Sequence, residues 1–107
     1  MRTVYIVDDD QGVCEALADL LASQGIRTLS FVSSRAFLEN IRPVTEPTVV
    51  ILDLRMPEKG GLEVQRALRE RDIVCPVIFL TGNANVETAV SGLRSGASDY
   101  LLKPVSP

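Results

Sequence analysis

Three acids, one hydroxyl and one amine of this chain come directly after short apolar runs. Asp8 and Asp9 follow Val-Tyr-Ile-Val, Asp53 follows Val-Val-Ile-Leu, Thr81 follows Val-Ile-Phe-Leu, and Lys103 follows Tyr-Leu-Leu. Carboxylate oxygens with no histidine in the chain favour a hard cation, and Mg²⁺ commonly shares its ligand shell with phosphate oxygens. The chemistry that these residue types suit is therefore the binding of a divalent cation and a phosphoryl group.

The charges of this set balance only when a cation is added. Two carboxylates about 4 Å apart repel by roughly 4 kcal/mol at an effective dielectric constant of 20. A Mg²⁺ ion and Lys103 would bring three positive charges to the three acids. Asp53 could then act as a nucleophile on phosphorus, a reaction that needs positioning and charge stabilisation more than proton transfer. The Thr81 hydroxyl could donate a hydrogen bond to a phosphoryl oxygen.

The elements that would position these residues alternate along the chain. The apolar runs predict five strands, and the helical spacing of apolar residues between them predicts four helices. The first helix starts at Asp9 or Asp10 and ends near Gln24, and the second starts at Ser33 or Ser34. The predicted strands are 3–7, 27–31, 48–52, 77–80 and 99–102, and the third and fourth helices carry apolar residues at 64–68 and 86–93.

Strands that alternate with helices predict an α/β fold with a parallel sheet, because parallel neighbours need crossover connections. Right-handed crossovers place helices on both faces of such a sheet. The carboxyl ends of the strands then lie at one edge, where ligands bind in open α/β sheets. We therefore expect the acids, the hydroxyl and the amine to converge there.

Composition narrows the possible functions. The chain has 107 residues and a hydrophobic content of 46%, which suits one domain with a real core. A net charge of −3 argues against direct nucleic-acid binding. Without histidine, a zinc site and a histidine-based catalytic triad are excluded, and Cys14 and Cys75 are expected to be reduced core residues. No apolar run is long enough to span a membrane, so a soluble cytoplasmic protein is expected.

Five segments together resemble the receiver domain of two-component response regulators, with the transcriptional branch as the best likeness. They are Val-Asp-Asp-Asp (7–10), Leu-Asp-Leu-Arg-Met-Pro (52–57), Leu-Thr-Gly (80–82), Gly-Ala-Ser-Asp-Tyr (96–100) and Leu-Lys-Pro (102–104). Each segment alone is common by chance. Their joint occurrence in this order, each at or beside the end of a predicted strand, is specific.

The resemblance implies a flavodoxin-like, doubly wound sheet with strand order 2-1-3-4-5 and a Mg²⁺-dependent phosphoacceptor at Asp53, supplied by a sensor histidine kinase. Asp9, Asp53 and the backbone carbonyl of Arg55 would ligate Mg²⁺ directly, and Asp8 would act through water.

In the same resemblance, Lys103 would pair with Asp53 or with the phosphoryl group. Thr81 and Tyr100 would form the switch, in which the threonine moves towards the phosphoryl group and the tyrosine turns inward. The protein would be a signalling protein, and the only reactions that it would catalyse are its own phosphorylation and dephosphorylation.

The resemblance also implies further structure and partners. Receiver domains continue into a fifth helix, and a chain of residues 1–107 lacks the length for it, so we expect the receiver part of a longer regulator. An output domain, such as a helix-turn-helix DNA-binding domain, would lie outside the chain. The resemblance is compatible with a homodimer, and no membrane contact is expected.

Three other functions are left open by the residues alone. An aspartate-nucleophile phosphatase would want a second acid where this chain has Arg55. A flavin-binding electron carrier would want a phosphate-binding loop in place of Asp8-Asp9-Asp10. An interaction module that works without phosphorylation would not need these residues. We also expect Asp10 to cap a helix, and Glu58 and Lys59 to be solvated loop charges.

Overall fold

Five parallel strands form one sheet in the computed structural model of the chain, which describes residues 2–81 and 99–102, the last four and Thr81 through their backbone alone. The strand order is β2-β1-β3-β4-β5. The flavodoxin-like class and the order 2-1-3-4-5 are therefore confirmed. The strands are β1 Thr3–Val7, β2 Arg27–Phe31, β3 Thr48–Asp53, β4 Val77–Thr81 and β5 Asp99–Leu102.

Three helices connect the first four strands. They are α1 Gln11–Ala22, α2 Ser34–Asn40 and α3 Gly61–Glu70. Helix α1 ends at Ala22, two residues before the predicted end near Gln24, and the turn that follows it contains Gly25, whose φ of 74° lies in the left-handed region. The helix predicted around 86–93 lies outside the described residues.

Two hydrophobic clusters lie on opposite faces of the sheet, as the predicted crossovers require. One packs the sheet against α2 and α3, and the other packs it against α1. Along β1 the side chains alternate between the clusters, so that Val7 faces α2 and α3 whereas Ile6 faces α1. The buried side chains at the centre of the first cluster include Val50, Leu52, Phe37, Val64 and Phe79, and those of the second include Val4, Ile51, Leu80, Cys14 and Leu17.

The two cysteines differ in burial. Cys14 is buried on α1, where its thiol donates to the backbone oxygen of Asp8 at 3.4 Å, so its expected place in the core is confirmed. Cys75, before β4, is half-buried, and burial raises the pKa of its thiol. Cys14 and Cys75 are not joined in a disulfide.

Within residues 2–81 and 99–102, the structure contains no helix with the length and apolar character needed to cross a lipid bilayer.

Candidate functional site

The strand register brings the candidate residues to one edge of the sheet. Val7 of β1 pairs with Leu52 of β3, so Asp8 and Asp53 leave their strands at the same level. On the other side of β3, Asp53 pairs with Leu80, and Thr81 follows one residue later. The carboxyl ends of β1, β3 and β4 therefore lie at one edge of the sheet, as the sequence predicts.

Asp8, Asp9 and Asp53 form an acidic cluster at this edge. One carboxylate oxygen of each residue lies within 4.8 Å of the corresponding oxygen of the others. Asp8 is completely buried and Asp53 is 5% exposed, whereas Asp9 is exposed to solvent. Burial of two acids side by side is unfavourable unless positive charge compensates them, and a cation bound at the cluster would supply such charge.

Both buried acids are oriented by the same local hydrogen bond. Oδ1 of Asp8 accepts from the backbone N–H of Asp10 at 2.9 Å, and Oδ1 of Asp53 accepts from the backbone N–H of Arg55 at 3.1 Å. Each is an Asx turn, in which a side-chain oxygen binds the N–H two residues later. The chain therefore bends away from the sheet immediately after each acid and leaves the carboxylate at the strand end.

Asp10 has a different task from its two acidic neighbours. It is the N-cap of α1, and its Oδ1 accepts from the backbone N–H of Gly12 at 2.8 Å and of Val13 at 3.3 Å. The prediction that Asp10 caps a helix is confirmed. Its carboxylate stabilises the start of α1, and the acidic cluster does not include it.

The start of α3 packs tightly against the backbone that carries Asp53. A Cβ added at Gly61 would lie 2.8 Å from the Asp53 backbone oxygen and 3.0 Å from Cε1 of Phe79. The Gly61 N–H donates to the Leu54 backbone oxygen at 3.1 Å. Only glycine allows this approach without a shift of the β3 end, so Gly61 helps to fix the position of Asp53.

The donor set fits a hard divalent cation. All three groups are carboxylates, and oxygen ligands of this kind suit Mg²⁺, Ca²⁺ or Mn²⁺. Carboxylates from two strand ends converge on one point, with one of them reachable from solvent. The residues present therefore match the metal site that the sequence predicts.

The other predicted site residues are described less fully. Thr81 and Tyr100 lie on neighbouring strands, where Thr81 pairs with Leu102 and Phe79 pairs with Tyr100. Lys103 lies outside the described residues, directly after β5. Arg55 has an exposed side chain, and ligation by its carbonyl stays a prediction.

Sequence reasoning missed one contact beside the site. Ser33 donates from Oγ to Oε1 of Glu58 at 2.6 Å, and this hydrogen bond lowers the pKa of Glu58 more than any other contact does. The interpretation of Glu58 as a mere solvated loop charge was therefore incomplete. The two residues are 25 positions apart, and no local pattern signals their contact.

Comparison with known sequences gives one consistent family. The family model described as the response regulator receiver domain matches residues 4–107. Response regulator protein TmoT of Ectopseudomonas mendocina is 44% identical over 101 residues, which are 94% of this chain and 46% of that protein. Transcriptional regulatory protein FixJ of Azorhizobium caulinodans is 40% identical over 94% of this chain and 47% of that protein. The chain thus spans about half the length of these curated relatives.

Solved structures agree with this result. The N-terminal part of FixJ superposes with a TM-score of 0.84 at 36% identity and covers 99% of this chain and 84% of that one. The chemotaxis protein CheY4 of Vibrio cholerae superposes with a TM-score of 0.89 at 27% identity and covers 100% of this chain and 90% of that one. The similarity in fold therefore extends over the five-stranded sheet.

Proposed function

Because the chain belongs to the response regulator receiver domain family, we propose that it is a phosphorylation switch in which Asp53 accepts the phosphoryl group. The observation that carries this proposal is the cluster of Asp8, Asp9 and Asp53, whose carboxylate oxygens lie within 4.8 Å of one another at the carboxyl edge of the sheet. A cluster of this kind can hold a cation beside a nucleophilic carboxylate.

Asp53 is the acceptor in this proposal because it ends the central strand β3 and is nearly buried. A carboxylate oxygen of Asp53 forms a bond to phosphorus while the bond from phosphorus to the donor breaks. The leaving group is the imidazole nitrogen of a phosphohistidine in a sensor kinase, or acetate when acetyl phosphate is the donor. The Arg55 N–H holds the carboxylate in one orientation during this transfer.

Asp8, Asp9, Asp53 and the Arg55 backbone carbonyl would hold Mg²⁺ in this proposal. The ion supplies positive charge that stabilises the phosphoryl oxygens during transfer. Asp8 is fully buried at this edge with its Oδ1 bound by the Asp10 N–H, so its carboxylate is already oriented before a cation binds.

Lys103 and Thr81 would complete the site, the amine as a second positive charge and the hydroxyl as a donor to a phosphoryl oxygen. Thr81 and Tyr100 would then carry the signal outward along β4 and β5. The pairing of these strands supports the proposal, because Thr81 and Tyr100 lie on adjacent strands near the same edge. In this proposal a movement of Thr81 on β4 would be passed to Tyr100 on the neighbouring strand β5.

The chain acts as a signalling domain, and the only reaction proposed for it is its own phosphorylation and dephosphorylation. Relatives such as FixJ are named transcriptional regulators and are about twice as long as the matched part. We propose that residues 1–107 form the receiver of such a regulator in the cytoplasm. In this proposal a separate output domain binds DNA, and the receiver does not. Phosphorylation of the receiver would favour a homodimer, which would bring two output domains together on DNA.

The proposal is tested by intact mass spectrometry after incubation with acetyl phosphate. Wild type is expected to gain the mass of one phosphoryl group when Mg²⁺ is present and not when EDTA replaces it. Asp53→Asn is expected to gain nothing. Asp19→Asn, which removes an exposed acid on α1 outside the cluster, is expected to behave as wild type. Labelling of Asp53→Asn to the wild-type extent would refute the assignment.

A further inference from the structure

The loop that follows Asp53, residues 54–60, is tied down at both ends by backbone hydrogen bonds. At its start, the Leu54 N–H donates to the Leu80 backbone oxygen at 3.0 Å. At its end, the Gly61 N–H returns to the Leu54 backbone oxygen at 3.1 Å. The middle of the loop therefore needs a separate support if the segment near Asp53 is to keep one conformation.

Two adjacent serines at the start of α2 provide that support. Ser33 donates from Oγ to Oε1 of Glu58 at 2.6 Å, and the same hydroxyl accepts from the Ala36 backbone N–H at 3.2 Å as the N-cap of α2. Ser34 is 1% exposed, and its Oγ accepts from the Lys59 backbone N–H at 3.2 Å. Consecutive serines thus hold consecutive loop residues.

The two serines are connected to the acidic cluster through the end of strand β2. Strand β2 ends at Phe31, two residues before Ser33, and the Phe31 backbone oxygen accepts from the Asp8 N–H at 3.0 Å. A continuous path of hydrogen bonds and short chain segments therefore runs from Asp8 through the end of β2 to Ser33 and Glu58. This path connects the loop after Asp53 to Asp8, the acid that follows β1.

We propose that Ser33 and Ser34 are positioning residues for the metal site, because they hold the 54–60 loop through Glu58 and Lys59. The proposal rests on the proposed function, since it concerns the loop that carries the Arg55 carbonyl. Ser33 contributes the stronger contact, because its hydroxyl donates to an ionised carboxylate and such hydrogen bonds are short and strong. The Arg35 contact with Glu58 is 3.8 Å long and solvent-exposed, so it adds little.

Ser33 can be changed so that its two hydrogen bonds separate. Ser33→Asp keeps an oxygen that accepts from the Ala36 N–H and so keeps the helix cap, but it cannot donate to Glu58 and repels it. Ser33→Asp combined with Glu58→Gln reverses the donor and the acceptor while keeping the net charge of the pair. Glu58→Gln alone keeps an oxygen that accepts from Ser33, and Arg35→Gln removes only the exposed ion pair.

The readout is the dissociation constant for Mg²⁺ by isothermal titration calorimetry, with urea unfolding in EDTA to show that each variant folds. For Ser33→Asp we expect the constant to rise about five-fold, equivalent to about 1 kcal/mol. The added negative charge would by itself attract Mg²⁺, so weaker binding can only come from the displaced loop. For the double variant Ser33→Asp/Glu58→Gln we expect a dissociation constant within about two-fold of wild type. We expect the same for each of the single variants Glu58→Gln and Arg35→Gln.

The outcomes separate this proposal from the proposed function. Wild type that binds no Mg²⁺ overturns both. Wild type that binds Mg²⁺, together with a Ser33→Asp variant of equal affinity, overturns the positioning role and leaves the phosphorylation switch standing. A double variant as weak as Ser33→Asp also overturns it, because restoring the hydrogen bond must restore the affinity.

Discussion

Replacing Asp53 by asparagine is expected to stabilise the fold when no divalent cation is present. Asp53 lies beside the buried Asp8 and the exposed Asp9 in a cluster within 4.8 Å. Asparagine has nearly the same shape, and its Oδ1 can still accept the hydrogen bond from the Arg55 N–H. The substitution therefore removes the repulsion of Asp53 from two acids while the hydrogen bond from the Arg55 N–H is kept.

The size of the effect follows from the separation. Two unit charges at 4.8 Å repel by about 3.5 kcal/mol at an effective dielectric constant of about 20. Asp53 takes part in two such pairs, but solvent weakens the pair with Asp9 and each charge is spread over two oxygens. The substitution also removes the attraction that the resemblance implies between Asp53 and Lys103, which reduces the net gain further. We therefore expect a gain of about 2 kcal/mol in the free energy of unfolding, equivalent to a rise in Tm of about 8–16 °C.

Thermal unfolding followed by circular dichroism in EDTA measures this gain. The matched control is Asp19→Asn on α1, which changes the net charge equally outside the cluster and is expected to shift stability by less than about 0.5 kcal/mol. Added Mg²⁺ should raise the Tm of wild type towards that of Asp53→Asn, because a cation bound only by the folded state stabilises it. Equal Tm values for wild type and Asp53→Asn in EDTA, or an equal shift in Asp19→Asn, would refute the reasoning.

Three further predictions concern the surroundings of the site. Asp72 has a φ of 57°, in the left-handed region that Gly25 occupies in the turn after α1. Asp72→Gly is therefore expected to raise the free energy of unfolding, measured by urea denaturation, by about 0.5–1 kcal/mol. Asp72→Ala is the control and should not raise it. Gly61→Ala is expected to lower the free energy of unfolding by about 1–2 kcal/mol and to weaken Mg²⁺ binding, because its Cβ would meet the Asp53 backbone oxygen. An unchanged unfolding free energy and Mg²⁺ affinity would contradict this and show that the end of β3 can shift at little cost. Burial raises the pKa of Cys75. We therefore expect its alkylation by iodoacetamide at pH 8 to be slower than that of cysteine in an unstructured peptide with blocked ends, and to speed up as the pH rises. A rate equal to that of the peptide would contradict this prediction.

The strands and the acidic cluster could be predicted because both depend on local sequence. An apolar run followed at once by Asp8 or Asp53 defines both the strand and the point at which it ends. In a parallel sheet those ends share one edge, so the two acids had to converge, and the structure confirms it. The helix cap at Asp10 followed from the same local chemistry.

Contacts between distant segments could not be predicted in this way. Ser33 meets Glu58 only because β2 and β3 both border β1 and their carboxyl ends lie close together. The sequence predicts a helix start at Ser33, but the contact of Ser33 with Glu58 depends on tertiary packing. Glu58 lies in a polar segment whose residue types are those of an ordinary exposed loop. Likewise, Asp72 takes a conformation usual for glycine in the turn after α3, where the next residue, Ile73, is buried and its N–H donates to the Leu68 backbone oxygen.

Asp53 as the phosphoacceptor is tested most directly by locating the adduct at residue level. Wild type is incubated with acetyl phosphate and Mg²⁺, the acyl phosphate is reduced with borohydride to homoserine, and the peptides are analysed by mass spectrometry. We predict homoserine at position 53, dependent on Mg²⁺, with Asp8 and Asp9 unchanged. Homoserine at position 8 or 9, or a phosphorylated chain with Asp53 intact, would contradict the assignment.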